Sequence, residues 1–276
     1  MHYHEYAPHE LLHNHVKCLW VLARDYTTVP GHVETVMPDS YLELVVNVGT
    51  PYYRLDGTKR VPYPTVALIG LLSKPLPLYC EGTAHLACIR FYPWGASGFL
   101  SSLLRRTRGS VMVLPFLSHE QLAALRELML AEAYDQAVAY LQNVLLEKTL
   151  HTVVNPDVVN AAMQLLYTTK GRIKMDELAD YCCTSLRQLE RKFEEQVGLS
   201  PKALARNMRF NAIKKELTHD PTANLTQLAL AYGYFDQAHF TKDFQLFAGV
   251  TPTAFCEQIL LVREKLTEND NVVFLQ

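Results

Sequence analysis

Two sets of side chains in this sequence have the types and spacing needed to read base-pair edges. The first is Arg187, Glu190, Arg191 and Glu194. Steps of three or four residues place such groups on one face of a helix. A guanidinium donates to two acceptors of guanine in the major groove, and a carboxylate accepts from a cytosine amine. The second set is Gln237, Ala238, His239, Thr241, Lys242 and Gln245. Glutamine pairs with adenine, a small apolar group meets a thymine methyl, and lysine reaches guanine or phosphate. Either set alone is explained equally well by a solvated helix face, because short motifs match by chance.

The elements that must carry these residues argue against chance. Ser185-x-x-Gln188 fits a capping box at a helix start, and Leu186, Leu189, Phe193 and Val197 follow as an apolar stripe opposite the charged ridge. Asp236 stands as the N-cap of the second helix, with Phe240, Phe244 and Phe247 turned inward. Both helices belong to one pattern written twice between Ile173 and Phe255. Leu178-Ala179, Cys183, Leu189, Phe193, Gly198 and Ser200-Pro201 are matched by Leu228-Ala229, Gly233, Phe240, Phe244, Gly249 and Thr251-Pro252. The offset is about 50 residues, and one residue is gained in the second turn. A short helix, a tight turn and an amphipathic second helix are the sequence form of a helix-turn-helix. Pro201 to Leu217 reads as the joining helix, about 25 Å long, which suits two recognition helices in successive major grooves.

The stretches LADYCCTSLRQLERKFEEQVGLSPKALARNMRF and LTQLALAYGYFDQAHFTKDFQLFAGVTPTAF resemble the two halves of the AraC/XylS transcription regulators. The resemblance covers roughly the last 100 residues. It implies duplex DNA as partner, with base-reading residues at Arg187, Glu190 and Arg191 and at Gln237, Ala238, His239 and Lys242. Phosphate contacts are expected from Lys192, Lys202 and Arg206 and from helix N-termini. RNA polymerase, a second copy of the chain and an activator's role are further implications. Cys183 departs from the pattern by standing where glycine is common, which strains that turn slightly.

The N-terminal half reads as β. Short apolar or alternating runs at Cys18 to Ala23, Leu42 to Val48, Val66 to Leu72 and Leu86 to Phe91 are separated by dense turn residues. The expected fold class is α+β: a small β-barrel or curled sheet, cupin-like, with covering helices, then an all-α domain of two helix-turn-helix modules. The boundaries are 1–116 for the sensor-like domain, 117–154 for helices that cover the sheet or form a dimer contact, 155–262 for the reader and 263–276 for a tail. MPDSYLELVVNVG and AHLACIRFYPWGASGFL resemble the sensor-like domain of a subset of AraC-type regulators. Arg90, in an otherwise apolar run, needs a partner. It either binds an effector's acid group together with Tyr41, Tyr52 and Trp94, or pairs with Glu43 or Asp39, the reading favoured here.

The bulk numbers limit other classes. At 49% hydrophobic and 20% charged, the 276-residue chain has ample material for a core. A net charge of -2 gives no general attraction to nucleic acid. Local clustering of Arg187, Arg191, Lys192, Lys202, Arg206, Arg209, Lys214 and Lys215 must supply it. Six cysteines without C-x-x-C spacing read as reduced thiols of a cytoplasmic protein. No run is long enough to cross a membrane. His2, His4, His9, His13 and His15 invite a metal, but no cysteine or carboxylate motif completes a site, so none is assigned, nor any cofactor. The alternatives are a cupin-like enzyme fused to a DNA-binding domain, for which no nucleophile or metal cluster is evident, and an effector-independent DNA-binding module.

Overall fold

Strand β2 (Val16–Asp25) shows how the N-terminal half is built. Its alternate residues Leu19 and Val21 enter one core, while Cys18, Trp20 and Leu22 enter another. Strand β9 (Thr83–Phe91) does the same with Ala87, Ile89 and Phe91 against Leu86 and Cys88. The period of two that sends side chains to opposite faces explains why these runs are apolar throughout. The computed structural model describes residues 1–28, 31–56, 59–96, 111–149 and 157–268.

The first sheet has six antiparallel strands in the order β1-β2-β9-β4-β7-β10, adding β1 (His2–Tyr6), β4 (Leu42–Asn47), β7 (Val66–Ile69) and β10 (Val111–Val113). A second sheet, in the order β3-β8-β5-β6, comprises β3 (Val33–Val36), β5 (Tyr53–Asp56), β6 (Lys59–Pro62) and β8 (Leu76–Tyr79). The two make a curled, open pair rather than a closed barrel. Proline does not keep the segment after Lys74 out of the sheet: β8 starts at Leu76, and Pro77 lies opposite Thr35 of β3. The histidine-rich start of the chain is tied into the first sheet, β1 pairing with β2 from His2↔Ala23 to Tyr6↔Leu19.

Helices α1 (His119–Leu130) and α2 (Tyr134–Thr149) cover the first sheet. Ser118 and Gln121 form a capping box at the start of α1. Leu125, Met129, Ala137, Leu141 and Leu145 share the core that holds Leu19, Val46 and Ile89. The domain boundary expected at Asn155-Pro156, a helix expected from the sequence over Gly95 to Leu104 and a loop expected at the basic run Arg105 to Arg108 lie, in whole or in large part, outside the described residues.

The reader follows as α3 (Val158–Thr168), α4 (Met175–Tyr181), α5 (Leu186–Gln196), α6 (Pro201–His219), α7 (Leu225–Ala231), α8 (Gln237–Ala248) and α9 (Pro252–Glu268). The first module shares its core with the sheet: Leu178, Leu189, Phe193 and Met208 join the cluster of Leu44 and Ile89. The second module has its own core of Phe210, Ile213, Phe240, Phe244, Phe247 and Ile259. Helix α9 runs to Glu268, beyond the tail boundary at 263. Arg263 on it donates to the Thr218 and His219 carbonyls, tying α9 to the last turn of α6.

The two halves meet along a polar seam on α6. Ser40 Oγ lies 3.2 Å from Asn207 Oδ1, and Asn207 Nδ2 donates to the Leu72 carbonyl at 2.9 Å. Asn211 Nδ2 reaches both Ser40 Oγ and Asn207 Oδ1. Ser40 and Asn207 are buried, so these bonds replace water that neither group can reach.

Candidate nucleic-acid interface

The first candidate face is built on α5. Ser185 caps it by accepting from the Gln188 N–H at 3.3 Å. The reciprocal half of the expected box is absent, because the Gln188 side chain accepts from Thr184 Oγ1 instead. Leu189 and Phe193 are fully buried, which fixes the helix's rotation and turns the opposite ridge outward. Cys183, in the preceding turn, has φ 49°, the left-handed region that glycine adopts freely. The expected strain is therefore present, at about 1–2 kcal/mol.

Arg187, Glu190 and Arg191 are all exposed on this ridge. Arg191 meets Glu195 at 3.2 Å, an exposed pair one helical turn apart that a stronger partner can replace. Lys192 is turned aside, half-buried and 3.9 Å from Asp157. Lys202 is exposed in the first turn of α6.

The second face is built on α8. Asp236 caps it, accepting from the His239 N–H at 2.7 Å. Phe240, Phe244 and Phe247 pack edge-on or stacked with Phe210 and Phe255 beneath the helix. Gln237, Ala238, His239 and Lys242 are exposed above it. A shallow concavity of about 600 Å³ is lined by Gln237, Ala238, Thr241, Lys242 and Gln245. Gln237 Oε1 accepts from Thr226 Oγ1 at 2.7 Å, so its carbonyl is oriented by α7 while its amide stays outward. The His239 ring leans on Tyr234 at 5.2 Å.

Arg206 departs from its expected role. Its Nε and Nη2 donate to the two carboxylate oxygens of Asp243 at 3.0 and 2.6 Å. The Asp243 side chain is only 6% exposed against 33% for Arg206. Hydrogen bonding to that carboxylate raises the guanidinium's pKa above its ordinary value. Arg206 thus locks α8 onto α6 rather than waiting for a phosphate. The basic cluster read from the sequence divides likewise. Arg209 lies over the Tyr234 ring at 5.1 Å, and Lys214 sits in the domain seam, its pKa lowered by burial. Arg187, Arg191, Lys202 and Lys215 remain exposed.

Of the candidate effector residues, Arg90, Tyr41 and Trp94 are neighbours, linked through Tyr92, and Tyr52 lies apart from them. Arg90 donates to Glu43 at 2.7 Å and to Glu5 at 3.2 Å, and lies over the rings of Trp20 and Tyr41. This is the structural pairing favoured above: burial opposes the charge, but Glu43 and Asp39 hold the guanidinium's pKa above its usual value. Tyr41 bonds Tyr167 of α3 at 2.8 Å, and Trp94 Nε1 donates to the Asn14 carbonyl. With Tyr92 these rings form an aromatic cluster between the sheet and the reader. Tyr52 belongs elsewhere, in the core between the sheets, where its hydroxyl meets Tyr26 at 2.8 Å.

Four of the six cysteines are buried and all are free. No cluster of three or more metal-binding side chains occurs among the described residues, and no described helix is long and apolar enough to cross a membrane.

Comparison with known proteins falls on the same elements. Residues 178–258 match a family described as a helix-turn-helix domain, and residues 4–112 match a domain of unknown function. The chain is 30% identical over 102 residues to XylDLEGF operon transcriptional activator 1 of Pseudomonas putida, a stretch of 36% of this chain and 30% of that protein. It is 28% identical over 98 residues to the HTH-type transcriptional regulator ArgR of Pseudomonas aeruginosa, with the same shares. The likeness thus spans under a third of either relative's length. The fold is similar to that of ToxT from Vibrio cholerae O395 bound to (E)-4-(8-methylnaphthalen-1-yl)but-3-enoic acid, with a TM-score of 0.50 and 11% identity over 94% of this chain and 100% of that one. At that identity the likeness is of fold alone. These sequence relatives are regulators of transcription.

Proposed function

We propose, on the premise that residues 178–258 make this chain a member of the AraC/XylS family, that it is a sequence-specific DNA-binding regulator of transcription. The observation that carries this reading is the repeated arrangement of α5 and α8: each buries its apolar stripe, fixes its start with a side-chain cap and presents a polar ridge to solvent. Arg187, Glu190 and Arg191 read one major-groove segment, and Gln237, Ala238, His239 and Lys242 read the next. Lys202 and the helix N-termini contact phosphate, Lys192 joins them on leaving Asp157, and Arg206 acts through Asp243 as a positioning residue.

In this reading the chain works in the cytoplasm with RNA polymerase, as a homodimer joined through α1 and α2, and is not an enzyme. The N-terminal domain responds to a small molecule or a partner, and the seam on α6 supplies the path to the reader. A coupling of about 1–3 kcal/mol is typical of such control. The test is enrichment of duplexes from a random-sequence pool by the full chain. The reading expects one recurring sequence, bound about 10³-fold or more tighter than bulk DNA. Recovery of no preferred sequence at any salt concentration would sink it.

A further inference from the structure

The two modules differ by one residue in the turn, and the structure identifies it. In the first, the Thr184 N–H donates to the Ala179 carbonyl at 3.1 Å and Ser185 follows at once as the N-cap. In the second, the Tyr234 N–H donates to the Ala229 carbonyl at 3.0 Å, but the N-cap is Asp236. The extra residue is Phe235, and it is 87% exposed. Folding offers it an obvious use that it does not take. An apolar residue just before an N-cap commonly packs on the fourth helical residue. That residue is Phe240, which is fully buried, while Phe235 stays in solvent. Tyr232 and Tyr234, its neighbours, are buried as well. Nor is Phe235 on a loose loop: Gly233 at φ 76° and the two flanking hydrogen bonds fix the turn on both sides.

We infer that Phe235 is a DNA-contacting residue, whose ring packs on a thymine methyl at the edge of the site read by α8. The inference rests on the DNA-binding reading above. It follows from placement and chemistry. The N-terminal end of a recognition helix is the end that enters the groove, and Phe235 stands two residues before Gln237, the first residue of α8. An aromatic ring is one of the few side chains that recognise the thymine methyl, a purely apolar landmark of the major groove. The first module has no counterpart, so this contact distinguishes the second half-site from the first.

The experiment uses the full chain and a duplex it enriches from a random pool. Each thymine is replaced in turn by deoxyuridine, which removes only the methyl. Affinities are measured for the wild type, Phe235→Ala and Phe235→Leu at several salt concentrations. One thymine beside the α8 half-site should matter to the wild type by about fourfold, the equivalent of roughly 0.8 kcal/mol for one buried carbon. The same replacement should leave Phe235→Ala unaffected, with Phe235→Leu in between. Phe235→Ala should also keep the wild-type salt slope, since no phosphate contact is lost. If wild type and Phe235→Ala respond alike to every deoxyuridine, the inference is wrong. If, in addition, Phe235→Ala dissociates a dimer that the wild type forms without DNA, a second copy covers the ring instead. Failure to enrich any duplex overturns the DNA-binding reading itself, a result distinct from these. Because Phe235 is exposed, unchanged thermal melting of both variants is the check on folding.

Discussion

Replacing Arg206 by methionine should destabilise the second module rather than weaken a phosphate contact. The guanidinium makes two charge-assisted bonds to Asp243, and the two partners differ in access to water: 33% of the Arg206 side chain is exposed, but only 6% of Asp243. Methionine leaves the carboxylate buried without a donor. Removing one partner of a buried pair costs about 3–5 kcal/mol, and partial exposure on the arginine side brings the figure toward about 2–3 kcal/mol. Asp243→Asn is the milder change, because the amide still offers one acceptor and Arg206 can turn to solvent; about 1 kcal/mol is expected. The double variant Arg206→Met/Asp243→Asn should recover part of the loss, since no buried charge is left unpaired. Urea denaturation of the full chain, followed by far-ultraviolet circular dichroism, measures all three. A fully stable Arg206→Met that lowers the salt slope of DNA binding by about one would refute this reasoning and return Arg206 to the phosphate contacts.

Three further outcomes follow. Burial, and then the charge of Glu43, push Asp39 up to about 6 from an ordinary 3.8, so the folded chain holds the proton more tightly than the unfolded one. Stability from this group therefore grows as pH falls through about 6 and levels off below 3.8. Asn at position 39 keeps the acceptor for the Tyr41 N–H, so Asp39→Asn should melt higher than wild type at pH 7.5 and by a much smaller margin at pH 4, and a gap independent of pH would contradict the assignment. Asn207→Ala orphans the Leu72 carbonyl at the seam and should lower unfolding free energy by about 1–3 kcal/mol; an unchanged denaturation midpoint would show that the seam is held by other groups. Arg191→Ala should cost about 1–3 kcal/mol of binding to the enriched duplex and relax preference at a single base pair, whereas a uniform loss across sequences would make it a phosphate contact.

The reader was legible because its signals are local. Caps, apolar stripes and the repeated turn each lie within a few residues, and the repeat checked one copy against the other. Cys183 at φ 49° is where the missing glycine placed it. Short strands such as β3 and β8 were missed because their residues gain order only from each other, across some 40 positions of sequence. Charge was misjudged for the same reason. Arg206, Arg209 and Lys214 look like one basic stripe, yet Asp243, Tyr234 and the domain seam claim them separately. One signal was available: Asp243 lies at helical spacing from Phe240 and Phe247, on the buried side of α8, where a charge requires a partner. Asn207, between Leu204 and Phe210 on α6, was a similar mark of the polar seam.

The two-groove reading is tested most directly by assigning each module to its own block of the bound sequence. Enrichment should be repeated with Arg187→Ala/Arg191→Ala and with Gln237→Ala/Lys242→Ala. Each pair should blur one block and leave the other sharp, with the blocks centred about one helical turn apart. Should both pairs blur the same block, or neither alter the preferred sequence, α5 and α8 do not read adjacent major grooves.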